Sequence, residues 1–191
     1  VTIASVKGGP VPIDQNSVSE PFFTDDAKKF MHDGVAVGML SHTKAVADLV
    51  GDVAESFDAV FLPGGHGTCA DFVGDAAVAL HKVVETMFAA NKVVAAVCHG
   101  PMGLTGCVKG EEKLPLVKDL KVAAFTDSEE AAVGLTEKVP FLLESKLKEQ
   151  GAIHESGDDW SEKVCVDGKL VTGQNPQSSK LCAEKVVELL G

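Results

Sequence analysis

At 191 residues, 45% hydrophobic and 24% charged, the chain is long enough for one compact domain with a full core, and no low-complexity tract interrupts it. Its formal charge of −11 argues against a nucleic-acid or anionic-membrane partner, and no apolar run approaches the ~20 residues of a membrane span. Five cysteines (Cys69, Cys98, Cys107, Cys165 and Cys182) are odd in number, widely spaced and without a CxxC pair. That argues against a disulfide framework or a structural zinc site and for a reducing, cytoplasmic compartment.

In chain order, Val1-Thr2-Ile3-Ala4-Ser5-Val6 predicts a buried strand from the first residue, and with no Met before it an amino-terminal piece is expected upstream. Residues 7–23 form a long Gly/Pro/Asp/Asn-rich loop of the kind that is usually functional or packed against a partner. Thr24 and Asp25 are expected to cap a short helix, DDAKKFMH, ending at Gly34. Residues 35–53 are ambiguous, with helical spacing in KAVADL. Residues 58–62 predict a short buried strand running into Pro63-Gly64-Gly65-His66-Gly67-Thr68, where clustered glycines let a backbone approach something closely. Leu80, Val83, Val84, Met87 and Phe88 mark an amphipathic helix over 75–91. A strand is expected over 93–97, with helix-compatible MGLTG after it, and another over 120–125, leading into Thr126-Asp127-Ser128-Glu129-Glu130. A helix then carries Val139, Leu143 and Leu147, with Pro140 in its first turn and Gly151 just past its end. After a short strand at 152–154, Asp167-Gly168 predicts a type I′ hairpin, and the terminal helix 179–190 offers Val186, Val187 and Leu190 as its stripe. Apolar strands alternating with amphipathic helices describe an α/β fold with a mainly parallel sheet covered on both faces.

The chemistry centres on VVAAVCHGPMGL. An apolar strand runs straight into Cys98, with small Ala96 and Gly100 two residues to either side. This is the spacing of a nucleophile elbow with Cys in place of Ser. The turn is expected to raise the sulfur above the sheet, where the next helix's N–H groups and dipole favour the thiolate. A small hydrophobe in the core is the competing reading of such a cysteine, and adjacency alone does not aim His99 at it. Ligands of parallel sheets bind beyond the strands' carboxyl ends, where 64–68, 98–100 and 126–130 converge. Cys98 is then the nucleophile and His99 the proton carrier. Glu130 is the candidate acid on the imidazole, with Asp127 and Glu129 as competitors, and the amides of Gly65 and His99 are the oxyanion donors. The three carboxylates equally suit a solvated helix N-terminus, and His66, grouped with Gly65 as a candidate oxyanion and substrate-binding residue, reads also as a loop histidine bonded to backbone.

FLPGGHGTCADF, VVAAVCHGP, AAFTDSEE and KLVTGQNPQSS, in this order and spacing, resemble the DJ-1/PfpI superfamily, a class I glutamine amidotransferase-like group. The likeness is greatest to the Hsp31-like branch of glutathione-independent glyoxalases (glyoxalase III, or D-lactate dehydratase), which the opening IASVKGGPVPIDQNS also resembles. The resemblance covers nearly the whole chain. It implies a flavodoxin-like three-layer sandwich, a single domain over 1–191, often homodimeric. It also implies a triad of Cys98 (nucleophile), His99 (proton shuttle) and Glu130. Methylglyoxal or a similar 2-oxoaldehyde would become D-lactate through a Cys hemithioacetal, with neither metal nor cofactor. One departure stands out. The family's glutamate near the cysteine comes from a first strand–helix unit ahead of the segment matching residues 1–5, and Glu20 does not match it. That unit lies upstream, on a separate fragment of the same protein, or is lost; in the last case an oxidisable but poorly catalytic thiol is expected. The superfamily also implies alternatives: a stress-responsive chaperone or redox sensor whose Cys98 is oxidised, or a cysteine peptidase or deglycase.

Overall fold

The computed structural model describes every residue except 21, and the chain divides into two compact units, Val1–Gly51 and Asp52–Gly191.

In the first unit the opening strand shrinks to β1 (Ala4–Ser5). The helix expected after Thr24 forms as α1 (Asp25–His32), with the Thr24 hydroxyl accepting from the Ala27 N–H. It does not run on to Gly34, because Asp33 closes it and caps a second helix, α2 (Gly34–Leu40), through the Val35 and Ala36 N–H groups. The helical spacing of KAVADL is overridden. Lys44–Ala45 form β2, parallel to β1, and Val46–Leu49 make a 3-10 turn.

The second unit begins with α3 (Val53–Ser56), β3 (Ala59–Leu62), α4 (Val78–Ala89) and β4 (Val93–Val97). A small hairpin of β5 (Val108–Lys109) and β6 (Leu114–Pro115) comes next, then β7 (Lys121–Val122), α5 (Asp127–Ala132), α6 (Leu143–Glu149) and β8 (Ile153–His154). β9 (Val164–Asp167), β10 (Leu170–Gly173) and α7 (Ser179–Leu190) complete it. The main sheet has the order β3-β4-β10-β9, with β3, β4 and β10 parallel and β9 antiparallel at one edge. This is the flavodoxin-like α/β class, with its mainly parallel sheet. All five residues of β4 are buried, so the strand lacks the polar alternation of a half-exposed one. Val93, Ala95 and Val97 face Cys182 and Val186 of α7, while alternation sends Val94 and Ala96 to the opposite face; α4 packs along β3 and β4.

Four expectations are corrected. Val187 and Leu190 are exposed, so the inward stripe of α7 is Cys182, Val186 and the partly buried Leu189. Helix α6 starts at Leu143, leaving Val139 and Pro140 outside it. Of residues 120–125 only Lys121–Val122 form ladder, because the Ala123 N–H donates to the Thr172 hydroxyl and the Phe125 N–H to the Cys98 carbonyl. The β9–β10 hairpin turns at Gly168-Lys169, and only Gly168 has positive φ, so the type I′ turn, which needs two, does not form.

Candidate active site

The backbone at Cys98 sits in the left-handed region, φ +62°, a conformation that costs a non-glycine residue about 1–3 kcal/mol and persists only where its surroundings enforce it. Two glycines do the enforcing. A Cβ on Gly64 would lie 2.5 Å from the Val97 carbonyl oxygen and 2.6 Å from the Cys98 Cβ, and one on Gly100 would run into the Leu62 carbonyl. The loop after β3 is thus pressed against the turn after β4. Gly65, at φ +101°, lies in a glycine-favouring conformation, and its N–H and that of His99 both donate toward the Cys98 sulfur. These are the two amides expected to serve as oxyanion donors.

The thiolate expectation is corrected. Cys98 is 8% exposed, and the chain beyond it enters a five-residue 3-10 turn, Gly100–Leu104, rather than an α-helix with a developed dipole. Burial pushes the thiol up to about 12; the Gly65 and His99 amides pull it down without compensating, and the charges of Glu129 and Glu130 raise it further. The surroundings of Cys98 therefore favour the thiol over the thiolate.

His99 is fully buried, with Nδ1 3.4 Å from the Cys98 sulfur and Nε2 2.7 Å from Glu130 Oε2. The other oxygen of Glu130, itself 2% exposed, lies 2.9 Å from His66 Nε2. An ionised carboxylate only accepts, so both imidazoles carry their proton on Nε2, which leaves the His99 Nδ1 lone pair facing the thiol. Burial holds the His99 imidazole below its ordinary range; the bond to Glu130 raises it but is outweighed, so His99 is a neutral base. His66 corrects another expectation: its ring is bonded to Glu130, not to backbone.

The rival carboxylates point elsewhere. Asp127, at the first position of α5, accepts from the Ser145 hydroxyl and N–H. Glu129 is fully buried and folds back into a capping box with Thr126. Its Oε1 also accepts from the Trp160 N–H, Gln174 Nε2 and Asn175 Nδ2. Neither it nor Glu130 is solvated. One buried glutamate therefore ties the 158–161 loop and the end of β10 to α5, while its neighbour holds two histidines. Glu20, which matched no site position, is exposed in a turn.

Sequence reasoning missed the packing around this group. Phe125 lies 4.4 Å, centroid to centroid, from His99, and Trp160 5.7 Å beyond Phe125. Gln174 and Asn175 belong to the KLVTGQNPQSS motif but carried no assigned role, and nothing in the loop sequence DDWSE marks Trp160. Metal-ligating capacity was also missed: ligand atoms of His66, His99 and Glu130 all lie within 4.8 Å of one another.

The DJ-1/PfpI family model matches residues 31–113, a span that includes the GGHG loop and the Cys98 turn. The chain belongs to the DJ-1/PfpI family. It is 35% identical over 153 residues to Glyoxalase 3 of Candida albicans, a match covering 78% of this chain and 63% of that protein. Two crystal structures are similar over almost its whole length. The glyoxalase III structure from C. albicans has a TM-score of 0.86 at 28% identity, covering 98% of this chain and 79% of that one. Rapid Encystment Protein 24 kDa of Francisella tularensis has a TM-score of 0.90 at 34% identity, covering 100% and 81%. The chain spans about 60% of the length of the curated relatives it matches.

Proposed function

We propose that this DJ-1/PfpI chain carries the catalytic centre of a glutathione-independent glyoxalase, converting methylglyoxal or a similar 2-oxoaldehyde to D-lactate or its analogue. The observation that carries the proposal is the tautomer lock: Glu130 accepts the Nε2 proton of His99, leaving Nδ1 free to receive the proton of a thiol 3.4 Å away. Cys98 gives its proton to His99 as the sulfur bonds to the aldehyde carbon. The Gly65 and His99 amides, already aimed at the sulfur, lie beside the oxyanion that forms. The imidazolium returns its proton to that oxygen, giving a hemithioacetal. His99 Nδ1 then takes the C1 proton and delivers it to C2 through an enediol, while the hydroxyl proton on the C1 oxygen passes to the C2 oxygen, leaving a thioester beside a new hydroxyl. Water cleaves the thioester and the proton returns to sulfur. One carbon is oxidised as its neighbour is reduced, so the sum is aldehyde plus water to hydroxy acid.

Cys98 is buried, which limits the access an oxidant needs, and the histidine beside it supplies a base that turnover uses and oxidation does not. The proposal extends to a homodimer in the cytoplasm, in keeping with five free cysteines, and to a further carboxylate supplied from an upstream unit or a separate fragment. Among the described residues no helix is long and apolar enough to cross a membrane.

The test is lactate formation from methylglyoxal by the purified protein. Cys98→Ala is expected to abolish it, and Glu130→Gln to lower kcat by about 10²–10⁴-fold through loss of the tautomer lock. Full turnover by Cys98→Ala would overturn the proposal.

A further inference from the structure

Two imidazoles share one carboxylate here, and the sharing is unusually symmetrical. His66 Nε2 meets Glu130 Oε1 at 2.9 Å and His99 Nε2 meets Oε2 at 2.7 Å, with the two rings 4.1 Å apart. Both nitrogens therefore converge on one small volume in front of a buried carboxylate. Two imidazole nitrogens and a carboxylate oxygen are the donor set of an open three-ligand site for a borderline divalent ion, with a fourth position for water. His66, about a third exposed, is the member through which an ion would enter; His99 and Glu130 are buried. The sulfur stands at the far edge of the His99 ring, against Nδ1, and so outside the ligand set.

We infer that His66, His99 and Glu130 form a binding site for a zinc-class divalent cation and that its occupation switches the cysteine centre off. The means is the imidazole tautomer. A metal on Nε2 takes the lone pair there, so the single proton of each neutral ring moves from Nε2 to Nδ1; no proton leaves either imidazole. For His66 the moved proton is on a partly exposed ring. For His99 it occupies the nitrogen that must receive the Cys98 proton. The metal also takes up Glu130, which held the ring in the opposite tautomer. The same three side chains thus support either proton transfer or metal binding, never both. The inhibitory half of the inference rests on the glyoxalase reading; the site itself does not.

Co²⁺ is the probe for the site, because its visible bands report coordination directly. The metal-free wild-type protein is expected to bind one Co²⁺ with a four- or five-coordinate spectrum that Zn²⁺ displaces. His66→Ala, or His66→Gln if the alanine variant is unstable, should weaken that binding at least about 100-fold, since even losing an outer partner of a metal ligand costs 10–100-fold. Cys98→Ser should keep the spectrum unchanged. Stoichiometric Zn²⁺ should stop methylglyoxal turnover by the wild type, and a chelator should restore it. Undiminished Co²⁺ binding by both His66 variants, a sulfur-to-cobalt band lost in Cys98→Ser, or turnover indifferent to bound Zn²⁺ would each overturn the inference. A wild type that never turns methylglyoxal over yet shows the His66-dependent spectrum would sink the glyoxalase reading while upholding the site.

Discussion

The two compact units are built on different economies of burial. In Val1–Gly51, helices α1 and α2 bury no residue, and Phe30, Val35 and Met39 remain exposed on them. The unit's ladder is two residues long on each strand. In Asp52–Gly191, a strand buried at every residue is flanked by helices, and at its end four ionisable or polar side chains (His99, Glu129, Glu130 and Gln174) are almost fully out of water. The first unit combines local caps with a short ladder and the Ser5–Thr43 and Thr43–Gly9 hydrogen bonds. The second has enough core to carry a left-handed cysteine and two buried carboxylates, each a net cost that only dense surroundings sustain. Close contact demands glycine in both units: a Cβ on Gly8 would lie 2.9 Å from the Ala45 nitrogen, and one on Gly64 2.5 Å from the Val97 carbonyl oxygen, but only the second contact bears on a buried polar centre.

The largest effect should come from Gly64→Ala. Its Cβ meets backbone rather than a flexible side chain, so the loops after β3 and β4 must part. A loss of about 3 kcal/mol in urea unfolding is expected, together with loss of turnover from a displaced Gly65 amide. Near-normal values for both would show the close approach to be dispensable. Glu129→Gln should come second at about 2–3 kcal/mol, because five groups that donate to or share protons with the carboxylate would then face an amide with two N–H groups of its own. Glu130→Gln should be the converse, costing turnover far more than stability, and equal stability losses for the two would erase the distinction between them.

A smaller effect belongs to pH. Burial holds the His154 imidazole below its usual range, with Glu144 pulling the other way, and its Nε2 has no hydrogen-bond partner among the described residues. The unfolded chain takes up that proton near its ordinary value of ~6.5 while the folded chain does not, so the stability is complete above that value and declines as pH falls toward the depressed one. Unfolding free energy should drop by about 1 kcal/mol between pH 7.5 and 5.5. His99, also depressed by burial, adds to the same slope, so His154→Gln should lessen it without abolishing it; an unchanged slope would remove His154 from the explanation. Smallest is Gly38→Ala in α2, where a Cβ meets nothing within 4 Å and φ is not positive. It should raise stability by about 0.5–1 kcal/mol, or leave it unchanged if the first unit unfolds independently.

Legibility from residues alone divides along the same line. Strand β4 and helix α4 were legible because burial imposes a pattern: an unbroken apolar run in one, the spacing of Leu80, Val83, Val84 and Met87 in the other. Helix α2 was not, since GVAVGML buries nothing and owes its start to Asp33, whose cap also ends α1. At the site, strand-end loops marked Cys98, His99 and Glu130 as neighbours. The burial that pushes the Cys98 thiol up was illegible, because it depends on how many groups from distant segments close over the sulfur. The bond between His66 and Glu130 spans 64 positions, and no local pattern announces it.

The sole tryptophan of the chain, Trp160, stands at the end of the ring stack that begins at His66 and His99 and passes through Phe125. Its own amide is fastened to Glu129. Any event that alters the charge or tilt of those imidazoles therefore alters the surroundings of a single emitting indole. The protein carries its own optical gauge, and the wavelength and intensity of its fluorescence are expected to follow changes at the histidines without a label.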